Sequence, residues 1–276
     1  MTTINVERRW ILPIQKRGNL GKSTTVAVLA QYLEHHGVSW RGFDLDPDHR
    51  TFSRLFPSPV SLCEIADEAE AEVIKIARSS GEVAVTLIDP RAHMSDMIMR
   101  AWAMIRFPER FAEAGGRATV LVFPGDDLEL LTDIDTTVTQ LGQSVDYVVV
   151  RNPARQPRTR MFNGSALEEE LVRLGAVFLE IPVLLALARN HLSALEAELG
   201  RGVSHVEAVK NLELPLDSMV RLIVEDWLRT CFRNLDVIAR KILPGEFAAQ
   251  IRQVDAGAAS KASGIVRGAK INRQNL

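Results

Sequence analysis

A glycine-bearing segment that ends in Gly21-Lys22-Ser23 carries residue types that bind phosphate groups. It lies between an apolar run and a helical pattern, the order in which a strand, a phosphate-binding loop and a helix follow one another. Backbone N–H groups around Gly18 and Gly21 can wrap a phosphate, and the helix N-terminus adds partial positive charge. Lys22, expected at the surface, can reach the β- and γ-phosphates of a nucleotide, and the Ser23 hydroxyl can ligate Mg²⁺. The segment therefore predicts a nucleotide-binding loop.

Carboxylates follow two later apolar runs. Asp44 and Asp46 flank Leu45, so both side chains leave the same face of an extended chain. They can hold Mg²⁺ through water and orient an attacking water, and the structural alternative is an aspartate-capped turn before Pro47. Asp89 ends another apolar run, where it can contact the groups that ligate Mg²⁺ rather than the ion itself. Taken alone this is a weak signal, since aspartates commonly end strands.

A polar and basic segment follows the fifth apolar run. Asn152 has both a donor and an acceptor, which recognition of an adenine edge requires, and a turn before Pro153 explains it equally well. The arginines around it can contact DNA phosphates or an acidic partner, or can form a solvated loop beside the nucleotide. These arginines are Arg151, Arg155, Arg158 and Arg160.

Bulk composition limits the class of protein. The formal net charge is −2, so overall charge indicates neither nucleic acid nor a membrane surface as the partner. Cys63 and Cys231 fit no metal or redox spacing and are predicted to be buried thiols in a reducing compartment. Residues 1–9 are polar, unlike a signal peptide, and no apolar run approaches the roughly 20 residues of a membrane span. These features predict a cytoplasmic protein.

The elements that must position the site are apolar runs alternating with helical patterns. The runs are short and rich in β-branched residues, as expected of parallel strands buried on both faces. We predict an α/β fold with a doubly wound, mainly parallel sheet and helices on both faces, in which ligands bind at the carboxyl ends of strands. The predicted strands are Trp10–Ile14, Ser39–Leu45, Val83–Ile88, Thr119–Phe123, Tyr147–Val150 and Val177–Ile181. The predicted helices are Ser23–His35, Leu62–Arg78, Ser95–Ile105, Leu128–Leu141 and Ala166–Leu174.

Two regions are predicted along the chain. Residues 1–243 form the nucleotide-binding domain, which ends in a long helix, Leu216–Ile242, with apolar residues at helical spacing. Residues 244–276 form a flexible basic tail, because their later part is rich in Gly, Ala and Ser.

The order of motifs from about Ile11 to Val209 resembles the ParA/MinD ATPases, whose deviant phosphate loop reads K-G-G-x-G-K-[ST]-T. Arg17 takes the place of the signature lysine, and Asn19 replaces the second glycine. Arginine keeps the charge but brings a planar fork, and asparagine tolerates left-handed backbone better than most residues. The positions that match the family loop are Gly18, Leu20, Gly21, Lys22, Ser23 and Thr24.

The resemblance implies an ATP-dependent homodimer that sandwiches two nucleotides with Mg²⁺ and releases on hydrolysis. Lys22, Asp46 and Arg17 would be its catalytic residues, with Arg17 reaching across to the partner's phosphates. Asn152 and Pro182 would join the loop residues 18–24 in binding the nucleotide. The metal residues would be Ser23, Asp44, Asp46 and Asp89.

Three functional classes follow from the resemblance. The first is a DNA-binding ATPase of plasmid or chromosome partition or of conjugative DNA transfer. The second is a nucleotide-gated accessory protein that recruits a relaxase or another partner with little hydrolysis. The third, a small-molecule amidotransferase or synthetase, would need a substrate-binding or glutaminase segment, and the sequence shows none. The basic tail lacks aromatic anchors, which disfavours the membrane-binding branch of the family.

Overall fold

A seven-stranded parallel sheet forms the centre of the computed structural model, which describes residues 7–63, 69–79 and 82–251. The strands lie in the order β3-β2-β4-β1-β5-β6-β7, and each neighbouring pair is parallel. The strand bounds are β1 (Arg8–Pro13), β2 (Trp40–Leu45), β3 (Val60–Leu62), β4 (Val85–Pro90), β5 (Gly116–Val122), β6 (Asp146–Arg151) and β7 (Val177–Glu180).

Helices connect the strands and cover the sheet. The first half of the chain contributes α1 (Lys22–His35), α2 (Thr51–Leu55), α3 (Ala69–Ser79), α4 (Ser95–Ile105) and α5 (Phe107–Glu113). The second half contributes α6 (Leu128–Leu141), α7 (Ala166–Arg173), α8 (Ala186–Leu199), α9 (His205–Lys210), α10 (Ser218–Val237) and α11 (Ala239–Ile242).

Strand β1 lies where the strand order reverses. It pairs with β4 on one side and β5 on the other, in registers that bring Ile11 opposite Leu87 and Thr119. The chain first fills the β4 side of the sheet and then the β5 side. The loop after β1 therefore opens at a topological switch point, which is where open parallel sheets bind ligands.

Two apolar cores cover the two faces of the sheet, and successive residues of β1 alternate between them. Ile11 belongs to the core shared with α1, α8 and α10. Trp10 and Leu12 belong to the core shared with α4, α6 and α7. Because helices pack on both faces of a parallel sheet, the predicted doubly wound α/β fold is confirmed.

The predicted helix Leu62–Arg78 was wrong at its start. Residues 60–62 form the edge strand β3, and α3 is described over Ala69–Ser79, while residues 64–68 lie outside the described residues. Strand β3 and the short α2 pack closely over β2 because Gly42 has no side chain: a Cβ there would lie 2.5 Å from Phe52 Cε1 and 2.6 Å from Val60 Cγ2. A three-residue strand whose place depends on such an approach leaves no periodic pattern in the sequence.

The carboxyl-terminal boundary also differs from the prediction. Residues 245–251 are helical, and Ala248 and Ile251 are buried in the core that contains α10 and α11. The start of the predicted flexible tail is therefore part of the folded structure, and its remainder, 252–276, lies outside the described residues. The predicted long helix is interrupted at Ile238, between α10 and α11.

Two smaller expectations concern the cysteines and membrane spans. Cys231 is buried as predicted, whereas Cys63 is only half-buried because it follows the edge strand β3.

In the part of the chain that the structure describes, no helix combines the length and apolar character that crossing a membrane would require.

Candidate nucleotide-binding site

The loop between β1 and α1 has the backbone conformation of an anion-binding turn. Asn19 and Gly21 adopt left-handed conformations, with φ of 60° and 90°. Gly21 is the N-cap of α1, and no side chain caps the first turn of this 14-residue helix. The N–H groups at its N-terminus therefore have no side-chain acceptor and, with the helix dipole, suit a phosphate.

Lys22 is buried, contrary to the expectation that it lies at the surface. Its side chain folds under the loop, the residue is 6% exposed, and its ammonium donates to the carbonyl oxygens of Gln15 at 3.1 Å and Arg17 at 2.7 Å. Burial lowers the pKa of Lys22, and the nearby Asp89 is the chief opposing charge. An ammonium has three donors, so one N–H remains for a phosphate.

Gln15 is a loop residue that the motif does not include. Its side chain accepts from the backbone N–H of Phe123 at 2.7 Å and donates to the Phe123 carbonyl at 3.2 Å. This pair of hydrogen bonds joins the end of β1 to the end of β5. It holds in place the start of the loop that follows β1.

Asn152 packs against the same loop. A Cβ on Gly21 would overlap the Asn152 side-chain nitrogen, which donates to the Leu20 carbonyl at 3.3 Å. Asn152 is buried, at the end of β6. The structure thus places Asn152, a predicted nucleotide-binding residue, against the loop, where its hydrogen bond to Leu20 supports the loop backbone. Its predicted contact with adenine stays a prediction.

Asp89 is a buried carboxylate at the end of β4. It is 1% exposed, and neither oxygen has a hydrogen-bond partner among the described residues. Burial raises its pKa to about 7, and the charge of Asp44 adds to this, whereas the Ser23 hydroxyl lies close enough to act in the opposite direction. Unsatisfied buried carboxylates are costly, so a cation at this point would satisfy an existing need.

The Asp89 and Ser23 pair fits Mg²⁺ bound with a nucleotide. Among the described residues, no group of three or more His, Cys, Asp or Glu could hold a metal ion by itself. Magnesium needs no such protein cage, since one or two carboxylates, phosphates and waters commonly complete its shell. Ser23 and Asp89 would supply the protein side of that shell.

Asp44 and Asp46 organise the turn that follows β2. Asp44 is fully buried, and its two oxygens accept from Asp46 N at 3.0 Å and from Ser53 N at 2.8 Å and Oγ at 3.0 Å. Asp46 Oδ1 accepts from the backbone N–H of Asp48 at 3.2 Å and of His49 at 3.1 Å. Both aspartates therefore accept hydrogen bonds within the turn, as the structural alternative predicted. Their roles in metal binding and hydrolysis stay predictions.

His49 is a second residue that the motifs do not reveal. Its Nδ1 lies 3.1 Å from Asp46 Oδ2, and its ring is exposed. The pair places an imidazole directly beside the predicted water-orienting carboxylate. Nothing in the spacing of the histidines indicated this contact.

The basic residues at the start of the loop are paired within the chain. The Arg17 guanidinium donates to Asp127, whose carboxylate also caps α6 by accepting from Glu129 N at 3.0 Å. The Lys16 ammonium lies 2.9 Å from Asp96, and this hydrogen bond raises the pKa of Lys16. Arg17 therefore does not extend freely toward a partner in this structure.

Pro182 and two of the arginines have their own local partners. The Pro182 carbonyl accepts from Trp227 Nε1 at 2.7 Å, which fastens the segment after β7 to α10. Arg160 lies 3.2 Å from Asp126, and Arg151 lies 3.6 Å from Glu168. The predicted nucleotide contact of Pro182 stays a prediction.

The chain is similar in part to known proteins. No family model matches the chain. Protein ParA of Rhizobium radiobacter is 22% identical over 181 residues, which cover 63% of this chain and 77% of ParA. The structure of the cell division protein MinD of Aquifex aeolicus is 15% identical with a TM-score of 0.43, covering 81% of this chain and 95% of MinD. The crystal structure of FlhF complexed with GTP and Mg²⁺ is 13% identical with a TM-score of 0.40, covering 66% and 68%.

The predicted resemblance to the ParA/MinD family is confirmed. The similarity to ParA coincides with a deviant phosphate loop that the structure places after the central strand of a parallel sheet. The chain is therefore similar in sequence to ParA and has the parallel sheet that the resemblance implied.

Replacing Asp89 by Asn tests the charge state of the unpartnered carboxyl. The folded pKa is about 7, whereas an unfolded aspartate titrates near about 3.9. Because the folded state keeps its proton over that interval, the contribution of Asp89 to the free energy of unfolding falls as pH rises from about 4 to about 7. Asp89→Asn should therefore exceed wild type in urea stability at about pH 8 and lose that advantage at about pH 5.

Asp126 gives a control of opposite sign. The Met161 backbone N–H is the chief cause that lowers the pKa of Asp126, so its contribution is present above the unfolded pKa and lost as pH falls. Asp126→Asn should be less stable than wild type by the same amount at about pH 5 and at about pH 8, because both values lie above the unfolded pKa of about 3.9. A difference between Asp89→Asn and wild type that stays the same at both pH values would contradict the raised pKa.

Proposed function

We propose that this protein is an ATP-dependent dimeric switch that acts in plasmid or chromosome partition or in conjugative DNA transfer. The observation that carries the proposal is the convergence of Lys22, the uncapped N-terminus of α1 and the unpartnered Asp89 at one loop. A nucleoside triphosphate with its metal requires positively charged donors for its phosphates and an unpaired carboxylate for Mg²⁺. The similarity to ParA supports ATP as the nucleotide.

The proposed dimer requires Arg17 to change partners. Arg17 is 53% exposed in its pair with Asp127, and ion pairs between exposed side chains contribute little to stability. A bidentate contact with a phosphate is stronger than such a pair. ATP bound to a second subunit could therefore draw Arg17 away from Asp127 at little cost, and each subunit would complete the site of the other.

Hydrolysis would depend on Asp46. Its charge acts on Lys22, so the carboxylate lies within electrostatic range of the phosphate-binding loop. The turn that it organises holds it in place through hydrogen bonds from 48 and 49. In the proposed mechanism Asp46 orients the attacking water, while Ser23 and Asp89 hold Mg²⁺.

A second candidate function is a nucleotide-gated accessory protein with little hydrolysis, which recruits a relaxase or another partner. The observation that favours it is the occupation of Asp44 and Asp46 by protein donors. A carboxylate that already orders its own turn has less freedom to orient water. Both candidates share the nucleotide site and the dimer, and differ in turnover and in contact with DNA.

The proposed DNA surface is smaller than the arginine content of 151–160 predicts. Arg151 and Arg160 are paired with carboxylates, whereas Arg158 is exposed and has no ion pair with another described residue. Arg158 is therefore available to contact a DNA phosphate. Further basic residues lie outside the described residues, at Lys261, Arg267, Lys270 and Arg273.

Two variants test the dimer and the hydrolytic step. Asp46→Ala should slow hydrolysis more than binding and so accumulate an ATP-bound dimer, because a group that acts only in the transition state lowers kcat with little effect on ground-state affinity. Arg17→Ala should bind ATP but stay monomeric. Light scattering with ATP and Mg²⁺ measures the assembly, and phosphate release measures turnover.

Arg158→Ala is the control, because it removes an arginine from the surface without changing the loop or Asp46. It should dimerise and hydrolyse ATP as wild type does. If Asp46→Ala and Arg17→Ala both stay monomeric with wild-type turnover, the loop is not used as in ParA/MinD proteins. An Asp46→Ala dimer with unchanged turnover would favour the accessory function.

Salt dependence of DNA binding tests the choice between the two functions. With ATP present, affinity for duplex DNA should fall with salt at a log–log slope of about −0.9 per phosphate contact. Arg158→Glu in the full chain should weaken binding and make the slope less negative by about one contact. Full binding by Arg158→Glu combined with truncation after Val254 would contradict the proposed surface, and no ATP-dependent DNA binding by wild type would favour partner recruitment.

A further inference from the structure

Arg155 lies over the phosphate-binding loop. The Asn152 carbonyl accepts from the backbone N–H of Arg155 at 3.0 Å and of Gln156 at 2.7 Å, which turns the chain back across the loop after β6. A Cβ on Gly21 would be 3.7 Å from Arg155 Cγ. The aliphatic part of Arg155 therefore packs over Gly21, and the residue is exposed beyond that contact.

Arg155 is also unneutralised, whereas four basic residues near the loop are paired with carboxylates. Its side chain has no hydrogen bond or ion pair with any residue within 7–63, 69–79 and 82–251. An uncompensated guanidinium beside a loop built for anions is a ready donor to a phosphate. The basic neighbours that do have carboxylate partners are Lys16 with Asp96, Arg17 with Asp127, Arg151 with Glu168 and Arg160 with Asp126.

The position of Arg155 indicates which end of a nucleotide it faces. Asp89 lies beside Ser23, and the charges of Asp89 and Asp46 act on Lys22, so the metal-binding end of the site is on the Lys22 side. The β- and γ-phosphates belong at that end. Arg155 instead approaches with Asn152 at Gly21, the residue before Lys22, where the phosphate nearest the nucleoside would lie.

We propose that Arg155 is a nucleotide-binding residue whose guanidinium pairs with the phosphate nearest the nucleoside. This inference rests on the proposed function, because it requires a nucleotide in the loop. It assigns Arg155 to the nucleotide site rather than to the DNA surface formed by the rest of segment 151–160. It also names the ligand class, a nucleotide with at least one phosphate, and excludes a free nucleoside as a partner of this residue.

The test compares ADP, AMP and adenosine without Mg²⁺, so that the metal-binding end contributes nothing. Arg155→Ala should weaken ADP and AMP binding by about tenfold or more, since hydrogen bonds to charged groups have contributions of that size. Adenosine binding should be unchanged. Arg155→Lys should recover part of the loss, because it keeps the charge but not the planar fork.

Arg158→Ala is the matched control, since Arg158 is exposed, lies three residues further along and also has no ion pair with another described residue. It should bind ADP as wild type does. The inference is overturned if Arg155→Ala binds ADP like wild type, if it weakens adenosine as much as ADP, or if Arg158→Ala shows the same loss. If wild type itself does not bind ADP, the proposed function fails first, and thermal unfolding of each variant separates lost binding from lost folding.

Discussion

The buried ammonium of Lys22 is the interaction on which the site depends. A buried charge of this kind costs several kcal/mol unless it is hydrogen-bonded or paired. Lys22 meets that need by donating to the carbonyls of Gln15 and Arg17, the two ends of the turn that leads into the loop. The start of the loop is thereby held around the ammonium. The lysine and the loop hold each other in shape before any nucleotide binds.

The scaffold around the loop explains why it can keep this shape. Gln15 joins β1 to β5, and Asn152 braces Leu20 and Gly21 from β6. Three neighbouring strands therefore fix the loop at the point where the strand order reverses. Only glycine fits at position 21, because a side chain there would overlap Asn152 and the backbone is left-handed. Asn19 occupies the other left-handed position, which shows how asparagine replaces a glycine of the family loop without unfolding it.

The carboxylate of Asp89 in the same site is buried and lacks a hydrogen-bond partner among the described residues. Ser23 and Lys22 nevertheless lie close enough to lower its pKa against the effect of burial. Native proteins rarely leave such groups unsatisfied away from functional sites. A metal-bound nucleotide would satisfy Asp89 through the cation and the third donor of Lys22 through a phosphate. The free energy of nucleotide binding would then include the satisfaction of Asp89, which links fold stability to function.

Local patterns predicted the regular elements, and long-range contacts decided the rest. Helices Ser95–Ile105 and Leu128–Leu141 have the predicted bounds, because their apolar residues recur with a clear helical period. The motif likewise located the loop between β1 and α1. It did not show that Lys22 is buried or that Arg17 pairs with Asp127, a residue 110 positions away. Such pairings are set by strand order, which a single sequence does not encode in any local pattern.

Calorimetric titration of wild type and Lys22→Ala with ATP and Mg²⁺ tests the central claim most directly. Wild type should bind one ATP per chain, and Lys22→Ala should show no measurable binding, because it removes both the phosphate donor and the group that holds the loop. Circular dichroism would establish that the variant retains its secondary structure, since the sheet and its two cores do not include this side chain. Unchanged ATP affinity in folded Lys22→Ala would contradict the assignment of the loop as a nucleotide site organised by Lys22.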